Sequence, residues 1–371
     1  MRNQNTMKNQ IKHSLVALAL LALSTLNSQF STVFAQGNLP PPPGPVAPTM
    51  KTLSQVEPRT PIGAVPSTPI VSLPYAITAP GSYYLTSSLT GVSGSDGITI
   101  SANDVTLDLS GFTLLGVAGS GNGIHVTSGV TNVSAGSSNL VVRNGVLDSW
   151  GSAGVNAGSA FNAQFHNLRL FSNSFGLEAG NNCTVLDCTA SDNTSIGIYV
   201  QNGCAVKDCL ASDNYTGIST ANDCTVLWCT ANNNGSVGIG TGWNSTVKDS
   251  TAGNNGGDGI QAGPNTTVQS CTAAGNDYAG IEINYDGLIT GNNCCDNTYG
   301  IFIDVGYSLI DGNNVRGNSD YAIYPQNANH GNVISRNSGG GSSSQYFGYG
   351  TNPDYAPFQS ISTATSPWAN F

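Results

Sequence analysis

Glu282 and Asp304 are the side chains best placed by type and spacing to move a proton, in a chain of which only 9% of residues are charged. Each lies in a short run that alternates apolar and polar residues, "AGIEIN" and "YGIFID". On neighbouring strands of period two they would sit one strand apart and two residues offset, about 8 Å. Two carboxyl groups roughly 6.5–9.5 Å apart can divide a hydrolysis, one as acid and the other as base on a water. The same outward position recurs two residues after a repeated glycine: Thr99, His125, Asn156, Glu178, Tyr199, Ser219, Gly240, Gln261, Glu282, Phe302 and Tyr324. Aromatic faces beside carboxylates are how proteins hold sugars in water. Glu282 and Asp304 are therefore the candidate catalytic pair. Glu178, Tyr199, Phe302 and Tyr324 are candidate binding residues for a polysaccharide or cell-surface glycan. The plain alternative is a set of solvated side chains on an outer face.

The elements that would position these residues follow from a repeat. From Gly154 the Gly-Ile pairs and their near-equivalents step by 22, 21, 20, 21, 21, 21, 20 and 22 residues, to Ala322. The earlier glycines, Gly97 and Gly123, precede longer steps of 26 and 31, which imply loop insertions. In one unit, Ile198 and Val200, Cys204 and Val206, and Cys209 and Ala211 each flank a single residue, the period of a strand. Turn residues fill the gaps. A coil of three short strands cannot bury its apolar edge alone, so units must stack in parallel. The expected fold is all-β: a single-stranded parallel β-helix of about ten coils. Ile198, Ile218, Ile239, Ile260, Ile281, Ile301 and Ile323 form one inward column.

Asn173, Asn193, Asn214, Asn234, Asn255, Asn276, Asn297 and Asn318 recur at 20 or 21 residues. Asparagine tolerates the left-handed conformation of a sharp bend, and stacked amides can bond from rung to rung. The cysteines also fall in columns: Cys183, Cys204 and Cys224, continued by Ser245 and Thr266, and Cys188, Cys209, Cys229 and Cys271, interrupted by Ser250. A position that accepts Cys, Ser or Thr asks for a small side chain. Stacked side chains point the same way, which is poor disulfide and poor tetrahedral metal geometry. The nine cysteines read mostly as buried thiols. A second candidate surface is the bend ladder Asp187, Asp208, Trp228 and Asp249, with Lys207 and Lys248 beside it. His125, His166 and His330 read as surface or turn residues.

Residues 1–35 read as a signal peptide: a basic start at Arg2, Lys8 and Lys12, an apolar run from Ser14 to Leu26, and a small-x-small site at Val33-Phe34-Ala35. Its removal takes three basic residues from a chain of net charge −10 and leaves −13. That balance argues against nucleic acid. No later run is long and apolar enough for membrane insertion. Residues 36–71 read as a Pro-rich linker, 72–338 as the β-helix domain, and 339–371 as a tail packing on or capping it. The expected protein is exported, a monomer, secreted or held at the cell surface.

"GSYYLTSSLTG", "GITISANDVTLDLSGFTLLG" and "NLVVRNGVLDSWG", followed by Gly-Ile coils, resemble the right-handed parallel β-helix proteins of the pectin lyase-like superfamily. The similarity extends to exported bacterial repeat proteins with a Pro-rich lead and a "SPWANF"-like end. The resemblance implies a right-handed helix and leaves open polysaccharide lyase or glycoside hydrolase activity. It does not decide whether the chain is an enzyme. The Asn-Thr-Asp, Asp-Asp and Gly-His-Gly signatures of polygalacturonase-like hydrolases are absent, and "NGIHV" around His125 lacks the second glycine. "YGIFIDVGY" keeps Tyr-Gly-Ile of the alginate epimerase signature and loses Asp-Pro-His. No cofactor or metal is called for; calcium is the one ion the resemblance leaves open. The other reading is a non-enzymatic structural or adhesive protein of a cell surface or matrix.

Overall fold

The structure, a computed structural model, describes residues 59–63, 72–127, 139–326, 331–340, 345–347 and 369. The expected signal peptide and most of the Pro-rich segment lie outside these residues. Thr60–Ile62, inside the segment read as linker, is a strand that pairs in parallel with Gly81–Leu85. At the other end, Ser338–Gly340 and Gln345–Phe347 continue the stack beyond residue 338.

Thirteen strands, one per coil, form one parallel sheet from Tyr75–Ile77 to Gln345–Phe347. The remaining strands, most coils giving two, form a second array of twenty-three. The solenoid has about twelve turns, more than the ten expected, because irregular first coils and the terminal coil join it. Twelve turns at about 4.8 Å make a rod of roughly 58 Å. The inward isoleucine column is entirely buried, from Ile98 through Ile198, Ile260 and Ile323. No helix among the described residues is long and apolar enough to cross a membrane.

One device makes all three bends. Each uses a left-handed residue followed by a buried side chain that accepts the backbone N–H from the rung before. At the first bend Asp192, Asp213, Asn233, Asn254, Gly275 and Asp296 are left-handed (φ 54–69°). The ladder asparagines follow one residue later, so the left-handed conformation expected of them belongs to their neighbours. Their amides carry the load instead. Asn234 Oδ1 accepts from Asn214 N at 3.1 Å, and Asn234 Nδ2 donates to Ala211 O at 3.2 Å and to Asn255 Oδ1 at 3.0 Å. Trp150 N donates to Asn173 Oδ1 at 2.9 Å, where the ladder begins.

The cysteine columns serve the other two bends. Cys183 N donates to Cys204 Sγ at 3.2 Å, and Cys229 N donates to Ser250 Oγ at 3.1 Å. In the later coils the second column becomes asparagine: Cys271 N donates to Asn292 Oδ1 at 2.8 Å, and Asn292 and Asn313 start a second amide ladder ending at Asn337. The recurring glycine packs against the first ladder. A Cβ at Gly238 would meet Asn255 Nδ2 at 2.6 Å and Gly259 O at 2.7 Å, so two columns constrain each other.

All nine cysteines are free thiols and eight are buried. Burial pushes the Cys271 thiol up to about 11. In native protein a thiol reagent should reach at most Cys295; in denaturant without reductant it should label all nine. Labelling of only one in the denatured, unreduced sample would mean a disulfide scaffold. Asn234→Ala should cost about 2–5 kcal/mol in a urea melt, because it strips buried groups on both neighbouring rungs of their partners. A loss below about 0.5 kcal/mol would show that the ladder carries no stability.

Candidate functional site

The outward column of the thirteen-strand sheet keeps the expected register. Glu178 pairs with Tyr199, Tyr199 with Ser219, Ser219 with Gly240, Gly240 with Gln261, Gln261 with Glu282, Glu282 with Phe302, and Phe302 with Tyr324. The column divides into two patches. Glu178 and Tyr199 stand five and four rungs from Glu282, about 24 and 19 Å, on the side toward His125. Glu282, Phe302, Asp304 and Tyr324 stay together.

Glu282 lies on Ala279–Tyr285 and Asp304 on Tyr299–Gly306, both longer than the three-residue strands of the regular coils. Ile283 pairs with Ile303 but Tyr285 pairs with Gly306. The single residue Asn284 therefore faces Asp304 and Val305 together, a β-bulge. Bulges re-aim side chains and are common beside active sites. The spacing of regular strands does not carry across it to Asp304.

Sequence reasoning missed Asp258. It is buried, directly before the recurring Gly259, and its Oδ1 accepts from Ala279 N at 3.1 Å on the next rung. Burial, then the charge of Glu282 and a hydrogen bond shared with it, push Asp258 up to about 7. Tyr278 stands beside both carboxyls, its phenol raised by burial and by the charges of Glu282, Asp258 and Asp304.

Phe302 is buried and is not the open platform expected. Tyr278, Tyr299 and Tyr324 cover it at centroid distances of 5.5, 5.4 and 5.5 Å. The accessible aromatic surface belongs to half-buried tyrosines: Tyr299 stacks on Tyr321 at 6.1 Å with rings parallel within 1°, and Tyr321 reaches Tyr324 at 4.9 Å. Tyr299 and Tyr321 occupy the position before the glycine, the same column as Asp258. Reading that position along the repeat would have found all three.

The His125 patch has the same geometry with an opposite partner. Asp96 also precedes its glycine, and its Oδ1 accepts from Asn122 N at 2.7 Å. His125 Nδ1 lies 2.7 Å from Asp96 Oδ2. Burial acts to raise Asp96, but the hydrogen bonds from Asn122 and His125 outweigh it and hold the carboxyl below its ordinary value. The reading of His125 as a plain surface residue misses this pairing. On the second array, Asp187, Asp208 and Trp228 line a groove of about 440 Å³ with Thr189, Leu210 and Thr230. It lies away from the Glu282 cluster. Among the described residues no group of three or more His, Cys, Asp or Glu is placed to hold a metal ion.

With the geometry in place, comparison with known proteins adds the handedness. The sequence profile of the family described as "Right handed beta helix region" matches residues 220–339. The chain superposes on the A-module of the mannuronan C-5 epimerase AlgE4 of Azotobacter vinelandii with a TM-score of 0.51 and 16% identity, covering 75% of this chain and 91% of that one. The AlgE6 A-module of the same organism gives 0.53 and 18%, covering 76% and 92%. A point mutant of the periplasmic alginate epimerase AlgG gives 0.54 and 11%, covering 72% and 75%. The chain has the fold of a right-handed parallel β-helix. No curated protein matches its sequence. At these identities the likeness is one of fold, and the β-helix scaffold leaves the chemistry to the side chains on its face.

The raised carboxyl of Asp258 has a consequence for stability. Asp258 binds a proton more tightly folded than unfolded, so its ionisation opposes folding. Stability should be highest below the ordinary carboxylate value of 3.8 and should fall as pH rises from about 4 to about 7. Asp258→Asn, which mimics the protonated form, should remove that part of the pH dependence, up to about 4 kcal/mol. Urea melts of wild type and variant across this range give the difference. Parallel stability curves would mean that Asp258 is ionised in the folded protein.

Proposed function

We propose that this protein is exported, binds an extended polysaccharide along the outer face of its thirteen-strand sheet, and cleaves it by acid–base chemistry at Asp258, Glu282 and Asp304. The observation that carries the reading is the buried carboxyl of Asp258, pushed up by burial and by the charge of Glu282 beside it, next to a shelf of tyrosines. Glu282, in the outward column, delivers the proton to the glycosidic oxygen as the bond to the anomeric carbon breaks. Asp258, behind it, restores the proton. Asp304, one rung on, takes a proton from the water whose oxygen forms the new bond to that carbon. Tyr299, Tyr321 and Tyr324 stack sugar rings, and a rigid sheet binds with little ordering loss. The named polysaccharide substrates of the structural neighbours, mannuronan and alginate, agree with a glycan as ligand. An expected export signal, residues 1–35, agrees with a ligand outside the cell. The structural or adhesive reading keeps support in the regular middle coils and in the missing signatures.

Affinity electrophoresis and reducing-end release across a glycan panel test it. Tyr324→Ala should weaken retention. Glu282→Gln should leave retention largely intact and lower turnover about 10²–10⁴-fold, since it removes the proton carrier without changing shape. Full turnover by Glu282→Gln would overturn the assignment. Retention without turnover by wild type would leave a binding protein, and no retardation by any glycan would leave the structural or adhesive reading.

A further inference from the structure

Seven lysines and arginines lie among the described residues: Arg59, Arg143, Arg169, Lys207, Lys248, Arg316 and Arg336. Not one lies on the thirteen-strand sheet. Arg143, Arg169, Lys207, Lys248 and Arg316 are on strands of the second array, and Arg59 and Arg336 adjoin two of its strands. Several are tied down there. Arg143 Nε donates to Asp108 Oδ2 at 3.1 Å, the Arg336 guanidinium pairs with Asp311, and Arg169 lies over the Phe171 ring at 4.9 Å.

Acids lie on both arrays, but on the thirteen-strand sheet they stand with no lysine or arginine beside them. Glu178, Glu282 and Asp304 are on the thirteen-strand sheet, and Asp96, Asp258 and Asp320 stand within two residues of its strands. Among the described residues His125 is the one group there able to carry positive charge, and it is paired with Asp96 and six rungs from Asp258, about 29 Å. That exceeds a Debye length several-fold at physiological salt, so His125 does not offset the cluster. The field at the cluster is felt within it: burial comes first, but carboxylate charge adds to it in raising both Tyr278 and Tyr299.

From this segregation we infer that the ligand of the face is a neutral polysaccharide, and that polyuronates and other anionic chains are excluded. The inference rests on the polysaccharide reading and narrows it. An anionic polymer presents one carboxylate per sugar. Laid along the tyrosine shelf, it would bring several of them against Glu282, Asp304 and Asp320 with no arginine or lysine to receive any. Recognition of carboxylates ordinarily uses such side chains. A neutral chain has no such conflict: its hydroxyls donate to the same carboxylates, and its ring faces stack on Tyr299, Tyr321 and Tyr324. The likeness to uronan-modifying enzymes therefore extends to the backbone and not to the charge of the ligand.

Matched polymers that differ only in charge test this. Gels would contain methyl-esterified or unesterified polygalacturonan, hydroxyethyl or carboxymethyl cellulose, and a set of neutral hexans and pentans. Wild type should be retarded by neutral polymers, with an apparent Kd at least about tenfold lower than for any anionic counterpart. Gln261→Lys, an exposed change one rung before Glu282, should raise retention of the anionic polymers and leave neutral ones within about twofold. Equal or stronger retention by anionic polymers would overturn the inference while leaving the polysaccharide reading in place. No retardation by any polymer would remove both, and only that result removes the reading beneath.

Discussion

Along the stacked coils each strand residue lies about 4.8 Å from its counterpart on the next rung, and the rest of the structure answers to that contact. Apolar residues meet it by stacking, as the isoleucine column does. Buried polar groups meet it by bonding to their counterparts. An amide can donate and accept at once, so asparagine passes a hydrogen bond along the axis without limit, and a thiol or hydroxyl does the same with less capacity. Charge meets it badly. A carboxylate stacked on a carboxylate is repelled at every rung, which accounts for the low charge content and for the acids being placed at bends, where Asp192 or Asp213 takes a left-handed turn instead of stacking inward.

The position before the recurring glycine follows from the same contact. Asp96, Asn122 and Asp258 each accept the next rung's backbone N–H there, at 2.7, 3.2 and 3.1 Å. That role is structural and would be filled by any short acceptor. The outward residue of the next rung then decides what else the acid becomes. At Asp96 hydrogen bonds from Asn122 and His125 outweigh burial and lower the carboxyl; at Asp258 burial and then the charge of Glu282 raise it. The scaffold supplies one slot, and its surroundings push the acid in opposite directions.

Much of this was legible in the sequence because the period exposes columns directly. The strand register, the inward isoleucines and the amide ladder at Asn173 to Asn318 all follow from counting. Counting within single columns is also what hid the rest. Asp258 is striking only beside Glu282, which belongs to another column and another rung. The second amide ladder at Asn292 was masked because its earlier rungs are cysteine and serine. The left-handed residues were assigned one place late, since Asn, Asp and Gly alternate there and the ladder asparagine is the invariant letter. Burial of Phe302 comes from Tyr324 in its own column and from Tyr278 and Tyr299, which stand in other columns of the repeat.

The bulge at Asp304 could not be read for a deeper reason. A repeat predicts what each coil shares, and a site is where one coil differs. A uniform rod presents the same shallow face everywhere and can distinguish no point along a polymer. At Tyr299–Gly306 the strand lengthens, an extra residue is taken up, and three tyrosines close over a phenylalanine that would otherwise lie open. The coils on either side keep their ladders through this stretch, Asn276 to Asn297 to Asn318. The regular columns can absorb the irregular one because each bend is held independently of the others. That independence lets a β-helix carry chemistry on one face without surrendering the stacking that forms it.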